Sequence, residues 1–548
     1  MFKNPNYVYG PKDAVFPARL HIGDYILSCM VNYGDKIALE HVATGEILRY
    51  SEIVQKCMNT AISLGHLGVK KGQVVAICSE NRKEYWAALT GILCASAVVT
   101  TINPAYVEGE IRHAIQISKP SCIICSPLAY KTHGKTLKSL KQIRKIIIFG
   151  NERIDNAIPF DDLSVPVVDD SAGDVFVDNR LRRNVRYNEF EVADVVGQVD
   201  TAFISYSSGT TGMPKGVMLT HANVISACTL VTHEDLMQRV LSITPWFHAM
   251  GLMGTIIGLC KGRSALYMPR FEPDLYLRTI EKYKIKYLPV VPPVVVMIGK
   301  TQGEYDLSSV EHIYSGGAPL HKETIDLIKA KLPKVHILQG YGMTEATLAV
   351  TRDNNAEVLR LKPGSVGTAV SNAIVKIADI ETRQALGPNQ PGELCVKGPM
   401  IMKGYVGKDR NEDFDEEGFF RTGDIAYYDE DGFFFIVDRL KELIKYKAFQ
   451  VAPAELESLL LKHESVKDAG VVGLPDTAAG ELPLAFVVKQ PGAQVTEKEI
   501  QQFIADKVSN PKRLRGGVRF VEEIPKNPSG KILRKELKKM AKKVKSKL

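Results

Sequence analysis

Residues 201–216 read TAFISYSSGTTGMPKG, an apolar strand that runs directly into a loop of glycines, hydroxyl side chains and one lysine. The glycines let backbone N–H groups approach an anion, the serines and threonines can donate to phosphate oxygens, and Lys215 adds positive charge. The spacing from Gly209 to Lys215 does not fit a Walker A loop, and Gly216 stands where that loop has Ser or Thr. Taken alone, the segment is equally consistent with an ordinary Gly/Ser turn. A phosphate loop is therefore a hypothesis that needs support elsewhere in the chain.

Outside this loop, apolar runs of strand length alternate with amphipathic stretches. VVAIC at 74–78 and HIYSG at 312–316 are typical of buried strands, and EIRHAIQIS at 110–118 has the spacing of a helix. Such alternation indicates α/β layers with parallel strands. The predicted fold class is α/β, with a large N-terminal domain made of several subdomains.

The pattern restarts late in the chain. A helix-like stretch at 454–463 is followed by two strand-like runs at 468–475 and 484–489, and by a second helix-like stretch at 497–508. This order predicts a small α+β domain, joined to the rest of the chain by a charged hinge. The predicted division is a domain at 1–438, a hinge at 438–441 and a domain at 439–548.

Length and composition favour a globular protein. The chain has 548 residues, of which 45% are hydrophobic, and this length exceeds what one core usually organises. No apolar run approaches the ~18 residues of a membrane-spanning helix, so no membrane span is expected. The N-terminus lacks the apolar stretch and cleavage site of a secretory signal, which leads us to expect a reducing compartment.

The charge distribution argues against nucleic-acid binding, and the cysteine pattern argues against a zinc or redox site. Residues 531–547 contain nine basic residues and one acidic residue, which accounts for the whole formal charge of +8. A basic tail without a nucleic-acid motif is typical of a solvated helix end, so no nucleic-acid partner is expected. Cys122 and Cys125 form a Cys-x-x-Cys, but they lie in an apolar run with no second pair or nearby histidines. A buried strand is therefore predicted there, rather than a zinc or redox site.

Six motifs occur in a fixed order: SSGTTGMPKG (207–216), SGGAPL (315–320), GYGMTE (340–345), RTGD (421–424), DRLK (438–441) and SGK (529–531). This order resembles the adenylate-forming superfamily along nearly the whole chain. That superfamily contains acyl-CoA synthetases, 4-coumarate–CoA ligases, beetle luciferases and peptide-synthetase adenylation domains. The segments IKYKAFQVAPAELES (444–458), GLPDTAAGELP (473–483) and KRLRGGVRFVEEIPK (512–526) most resemble insect luciferases and luciferase-like fatty acyl-CoA synthetases. The resemblance implies that the protein activates a carboxylic acid with ATP and passes the acyl group to coenzyme A.

The resemblance implies an ATP site with separate contacts for each part of the nucleotide. Asp424 would accept both ribose hydroxyls with help from Arg439, and Tyr341 would stack on the adenine. Thr344 would touch the α-phosphate, and Glu345 would hold Mg²⁺. The other implied ATP-site residues are Ser207, Ser208, Gly209, Thr210, Thr211, Gly212 and Lys215 for the phosphates, Gly316, Gly317, Ala318 and Pro319 for the adenine pocket, and Gly340 and Gly342 beside them.

Two lysines of the small domain would do different jobs. The resemblance implies that Lys531 bridges the substrate carboxylate and the α-phosphate, which offsets repulsion between two anions. After adenylation the small domain would rotate about Asp438 and bring the face around Lys445 to the site. His248, in the motif PWFH, would orient the carboxylate and then gate the approach of the thiol. Without the motifs, solvated lysines and a satisfied core histidine are the ordinary interpretations.

Residues of the acid pocket indicate whether the adenylate is converted to a thioester or is oxidised with emission of light. Beetle luciferases carry a serine, an arginine and a phenylalanine where this chain has Leu348, Ala227 and Met250. Aliphatic surface suits a flexible alkyl chain, so we predict a medium- or long-chain fatty acyl-CoA synthetase. Ala448 replaces the usual glycine beside the pantetheine channel, where an added methyl group would narrow the path of CoA.

Other functions stay open at this point. A beetle-type luciferase would use the same adenylate with oxygen, and a 4-coumarate–CoA ligase-like enzyme would take rigid aromatic acids. A nucleotide-binding protein without turnover is disfavoured because the loop, Glu345, Asp424 and Lys531 are all present.

The last three residues, Ser546-Lys547-Leu548, match the tripeptide that the peroxisomal import receptor reads. Because they follow a basic tail and peroxisomes use CoA-activated acids, the expected location is the peroxisome. The expected partners are this receptor, a carboxylic acid, ATP and CoA.

Overall fold

The computed structural model describes residues 4–12, 16–17, 19–168, 182–183, 185–207, 214–229, 239–318, 320, 322–354, 359–447, 449–476, 479–527 and 530–545. We call residues 4–439 the large lobe and residues 444–545 the small lobe. Within the described part, no helix is both long and apolar enough to cross a bilayer.

The large lobe alternates strands and helices, as the sequence predicts. Its strands are β1 (Tyr7–Tyr9), β2 (Ile37–His41), β3 (Ile47–Arg49), β4 (Val74–Cys78), β5 (Val98–Ile102), β6 (Cys122–Cys125), β7 (Lys145–Ile148), β8 (Ile158–Pro159), β9 (Val167–Val168), β10 (Arg182–Arg183), β11 (Thr201–Ser207), β12 (Lys215–Thr220), β13 (Arg239–Ser242), β14 (Ser264–Tyr267), β15 (Tyr287–Val290), β16 (His312–Ser315), β17 (His336–Tyr341), β18 (Thr351–Arg352), β19 (Thr368–Ala369), β20 (Ile374–Ala378), β21 (Gly392–Lys397), β22 (Gly404–Tyr405), β23 (Phe420–Tyr428) and β24 (Phe434–Arg439). Its helices are α1 (Ile22–Val31), α2 (Tyr50–His66), α3 (Tyr85–Cys94), α4 (Glu108–Ser118), α5 (Pro127–Ser139), α6 (Phe160–Ser164), α7 (His221–Cys228), α8 (Ala249–Cys260), α9 (Pro273–Tyr283), α10 (Pro292–Lys300) and α11 (Lys322–Lys331).

The small lobe begins a new sheet after the hinge. Its strands are β25 (Ile444–Tyr446), β26 (Phe449–Val451), β27 (Val466–Asp476), β28 (Gly480–Lys489) and β29 (Gly517–Phe520). Its helices are α12 (Pro453–Leu460), α13 (Glu497–Ala505) and α14 (Arg534–Lys545). The strand order is β26-β25-β28-β27, with β29 pairing alongside β28.

Four large-lobe sheets surround the predicted motifs. The first has the order β22-β12-β11-β5-β4-β6-β7-β8, and its strands from β11 to β8 run parallel. β4, β5 and β6 are covered on both faces, which explains their unbroken apolar sequences. The others are β15-β16-β17-β18-β19, β13-β14-β2-β3 and the antiparallel β1-β20-β21-β23-β24.

Local sequence explains where several helices begin. Thr220 accepts from the backbone N–H of Asn223, whose side chain accepts in return from the Thr220 N–H, and this capping box starts α7. Ser126 caps α5, whose first residue is Pro127. Pro292 likewise opens α10 and breaks the apolar run that crosses this region. Sequence capping therefore fixes the ends of helices that flank the predicted site.

The two lobes have separate apolar cores. Trp86 and Trp246 are fully buried in the large lobe, with ring centroids 5.2 Å apart. The small lobe packs around Leu456, Val471 and Val487. Cys122 and Cys125 are buried in β6, as predicted, and burial raises the pKa of the Cys122 thiol to about 12.

The predicted boundary after residue 438 falls near the end of β24, and the predicted hinge overlaps its last two residues. Arg439 is still paired with Asp424 across β23 and β24. The sheet of the small lobe starts at Ile444. The two-domain division and the rotation stay predictions.

Candidate active site

A buried carboxylate lies at the centre of the site. Asp424, in β23, is 4% exposed, and its Oδ2 accepts a hydrogen bond of 2.5 Å from the Tyr341 hydroxyl. Arg439 Nε lies 3.2 Å from Asp424 Oδ1. Burial raises the pKa of Asp424, and Arg439 and Tyr341 oppose that rise. Each oxygen faces one donor of the protein, and because a carboxylate has about four acceptor positions it could still accept from two ribose hydroxyls.

Close packing explains the glycines around Tyr341. A Cβ on Gly342 would lie 1.8 Å from the carbonyl oxygen of Leu348, and one on Gly340 would lie 1.9 Å from the Tyr314 hydroxyl. A larger residue at position 342 would displace the backbone, and one at position 340 would displace the Tyr314 side chain. Gly317 instead has open space but a φ of +84°, in the left-handed region. The structure therefore places Gly316, Gly317 and Ala318 in a turn after β16, and Pro319 lies outside the described residues.

The predicted phosphate loop is anchored at both ends. Ser207 and Lys215 are cross-strand partners where β11 and β12 meet. The Ser207 Oγ is buried and, among the described residues, has no hydrogen-bond partner, so it is available to a phosphate oxygen. Ser208, Gly209, Thr210, Thr211 and Gly212 lie outside the described residues.

Thr344 and Glu345 begin a short helical turn after β17. Glu345 is 9% exposed, and its Oε1 accepts a hydrogen bond of 2.7 Å from the Tyr405 hydroxyl. Within the described residues, no group of three or more His, Cys, Asp or Glu side chains surrounds a possible metal ion. A single carboxylate fits Mg²⁺ that arrives with substrate phosphates, because Mg²⁺ is usually held by one or two carboxylates plus phosphate oxygens.

The small lobe brings Lys531 to this cleft. A Cβ on the preceding Gly530 would lie 2.7 Å from the side chain of Pro293 in the large lobe, so the two lobes are in close contact here. Burial and the neighbouring Arg439 lower the pKa of Lys531 to about 8, and Glu442 and Asp424 oppose this. Lys445, in contrast, is exposed on β25, where its backbone N–H donates to Glu481.

Arg534 shows that part of the basic tail is buried, whereas the sequence interpretation made it a solvated helix end. Its Nε lies 3.3 Å from Glu442, and its Nη2 lies 3.0 Å from Glu457. Asp438 lies near this cluster, because burial raises the pKa of Asp438 and the Arg534 charge opposes that rise, and its Oδ2 accepts from the Ala454 N–H at the start of α12. Burial raises the pKa of Glu457 to about 7, opposed by Arg534. The cluster connects the predicted hinge to the helix that follows Lys531.

The residues predicted to contact the carboxylic acid lie on different helices and strands from those predicted to contact ATP. His248 caps the start of α8, and Met250 follows in its first turn. Partial burial of the ring lowers the pKa of His248, which favours the neutral imidazole, although the residue as a whole is exposed. Ala227 is buried in α7, and Leu348 packs against the large-lobe core. Ala448 lies outside the described residues.

Tyr405 and Arg534 are two contacting residues that the motifs do not identify. Tyr405 lies 60 residues from Glu345 along the chain. The only sequence signal is the run GELCVKGPMIMKGY, whose strand-like pattern gives no indication of a contact with the GYGMTE turn. Arg534 is hidden among the lysines of the tail.

These features define a nucleotide cleft on a large α/β lobe, completed by a lysine from a small lobe, which is the architecture of an adenylate-forming enzyme. The AMP-binding enzyme family matches residues 29–406, and the AMP-binding enzyme C-terminal domain matches residues 455–531. The chain belongs to the AMP-binding enzyme family.

Relatives of this chain divide between two activities. It is 37% identical to a luciferin 4-monooxygenase of Photuris pensylvanica, with 100% of both chains covered. It is 40% identical to 4-coumarate–CoA ligase 1 of Petroselinum crispum, with 96% of this chain and 95% of the relative covered. The structure of ATP-bound MatB from Rhodopseudomonas palustris is 26% identical with a TM-score of 0.83, and 95% of this chain and 99% of MatB are covered. The shared chemistry is therefore ATP-dependent adenylate formation in the acid–CoA ligase and luciferase family.

Proposed function

We propose that this protein is an ATP-dependent fatty acid–CoA ligase that works through an acyl-adenylate. The observation that carries the proposal is the position of Lys531 in the cleft that holds Asp424 and Arg439. Within the described residues, the Lys531 Nζ has no hydrogen-bond or ion-pair partner, and only its backbone N–H donates, to Asn527. A cation without a partner is available to two approaching anions, and the adenylation step needs one there.

In the first half-reaction, a carboxylate oxygen attacks the α-phosphorus of ATP. A new O–P bond forms, the bond to the β-phosphate oxygen breaks, and pyrophosphate leaves. Lys531 offsets the repulsion between carboxylate and phosphate, and Asp424 holds the ribose so that the phosphorus is in line. Glu345 would hold Mg²⁺ at this site, and the bound ion would supply charge neutralisation on the phosphates.

In the second half-reaction, the thiol of CoA attacks the acyl carbonyl, and AMP leaves as the thioester forms. Lys531 has no role in that step. We propose that the small lobe rotates about residues 438–441 and presents the exposed face around Lys445 instead. Neutral His248 lies at the start of α8, where it contacts the carboxylate first and the incoming thiol later.

The proposed acid is a medium- or long-chain fatty acid. Support comes from three aliphatic side chains, Ala227, Met250 and Leu348, which offer apolar contact without a polar anchor. Each methylene that they bury contributes ~0.8 kcal/mol, so four added methylenes raise kcat/KM by up to roughly 200-fold until the pocket is full.

An acid-dependent ATP–pyrophosphate exchange screen tests the proposal. Fatty acids from C6 to C18, coumarate and D-luciferin are compared at equal concentration, with Lys531→Ala as the inactive control. We expect exchange to rise with chain length and then level off. A preference for coumarate over laurate would indicate a 4-coumarate–CoA ligase-like enzyme, and light from D-luciferin with oxygen would indicate a luciferase.

We also propose a peroxisomal location. Its support is the tripeptide Ser546-Lys547-Leu548, which lies outside the described residues and would be read by the peroxisomal import receptor. A fluorescent fusion that keeps these residues at the C-terminus should be punctate. Loss of Leu548 should leave it in the cytosol, and puncta in that truncated form would contradict the proposal.

A further inference from the structure

One short segment is hydrogen-bonded to both parts of the proposed phosphate site, namely the strand that begins at Lys215 and the turn that carries Glu345. We call residues 400–406 the brace. Its strand β22 pairs with β12, with Tyr405 opposite Val217 and Gly404 opposite Met218. The N–H of Val406 donates to the carbonyl oxygen of Gly216 at 2.9 Å. The brace is therefore fixed to the strand that begins at Lys215.

The brace is also fixed to the turn that carries Glu345. The N–H of Met402 donates to the carbonyl oxygen of Glu345 at 2.8 Å. The Thr347 hydroxyl donates to the carbonyl oxygen of Met400 at 2.6 Å, which holds Thr347 at a φ of +63°. Backbone contacts alone thus connect residues that are about 190 positions apart in the sequence.

The side chain of Tyr405 contacts both Glu345 and Lys215. Its hydroxyl donates to Glu345 Oε1 at 2.7 Å, and the Nζ of Lys215 lies 4.4 Å from the centre of its ring. Tyr405 is 7% exposed and Glu345 is 9% exposed, so the hydrogen bond between them is shielded from water, whereas Lys215 is partly exposed. The hydroxyl restricts the rotation of a carboxylate, and the ring face attracts an ammonium group.

We propose that Tyr405 is a positioning residue that sets the distance and orientation between Lys215 and Glu345 for Mg²⁺-bound polyphosphate. The proposal rests on the proposed use of ATP. The hydroxyl keeps Glu345 aimed at the metal side of the phosphates, and the ring keeps Lys215 beside the loop. These two effects are separable because a phenylalanine keeps the ring and loses only the hydroxyl.

The test measures ATP binding by calorimetry, with and without Mg²⁺, so that it does not depend on turnover. In Tyr405→Phe, the gain in ATP affinity on adding Mg²⁺ should fall roughly tenfold, the size expected from loss of a hydrogen bond to a charged group. Affinity without Mg²⁺ should stay unchanged. Tyr405→Met, which also removes the ring, should weaken ATP binding in both conditions.

Tyr130→Phe is a matched control. The Tyr130 hydroxyl donates to Asp155 at 2.8 Å, and Lys138 lies 5.6 Å from the centre of its ring, so the same two interactions occur outside the proposed site. This control should bind ATP like the wild type. In a Glu345→Gln background, Tyr405→Phe should cause no further loss of the Mg²⁺ effect.

The Tyr405→Phe result decides the proposal. An unchanged Mg²⁺ effect, or a loss of affinity that is equal with and without Mg²⁺, would overturn it. Thermal melting confirms that each variant is folded, and Tyr405→Leu replaces Tyr405→Met if the latter melts early. Failure of the proposed ligase function gives a different result, because wild-type ATP binding would persist while no acid supported pyrophosphate exchange.

Discussion

The small lobe has two faces that differ in what they contact. The Lys531 face lies against the large lobe, and burial there lowers the pKa of Lys531 to about 8. The Lys445 face is exposed on β25. Both lysines carry the same charge on the same lobe, so their surroundings and not their chemistry distinguish them. In this structure the lobe contacts the large lobe through its Lys531 face while Lys445 is exposed, and this is the arrangement that the proposed adenylation step requires.

The largest expected effect comes from Arg534→Ala, which removes the ion pairs that hold the Lys531 face of the small lobe in place. Arg534→Ala leaves Glu457 as an uncompensated buried carboxylate, and we expect the free energy of unfolding to fall by about 3–5 kcal/mol. Denaturant unfolding measures this change. Lys535→Ala alters the next, exposed residue of α14 and should stay within about 0.5 kcal/mol of the wild type. Equal stability of the two variants would show that the Arg534 cluster does not support the lobe.

The pH dependence of adenylation tests whether the Lys531 ammonium group is required. Because the pKa is lowered to about 8, the ammonium form is lost as pH rises through that value. In the adenylation half-reaction, kcat/KM should therefore fall about tenfold per pH unit above pH 8. Lys531→Arg stays charged and should remove this limb. An identical alkaline limb in both proteins would assign it to another group.

The smallest expected effect lies in the acid pocket. Leu348→Ser replaces apolar contact with a hydroxyl, and we expect kcat/KM for laurate to fall by roughly tenfold, as removal of a few buried methylenes implies. Any light with D-luciferin should increase. Chain-length series on both proteins measure the change. If activity with both laurate and D-luciferin is unchanged, Leu348 does not line the acid pocket.

The sequence predicts the α/β layers because its strand-length and helix-length patterns are local, and it locates the motifs because each motif is continuous in the chain. The roles of the motif residues stay predictions. Asp424, Tyr341 and Lys531 are brought together as the motifs imply. Tyr405 and Arg534 are not predicted, because their roles depend on contacts with residues 60 or more positions away. Nothing in a single sequence indicates such pairs. The acid is equally hard to predict, since aliphatic side chains line many pockets that bind different ligands.

The central claim is that Lys531 serves adenylation and the Lys445 face serves thioester formation. Both half-reactions are measured on Lys531→Ala and Lys445→Ala: acid-dependent pyrophosphate exchange for the first, and CoA-dependent turnover of pre-made acyl-AMP for the second. We predict that Lys531→Ala slows exchange by roughly 10²–10³-fold, as loss of one preorganised charge contact does, and largely spares thioester formation. Lys445→Ala should show the opposite pattern. Equal losses in both half-reactions for either variant would contradict the account.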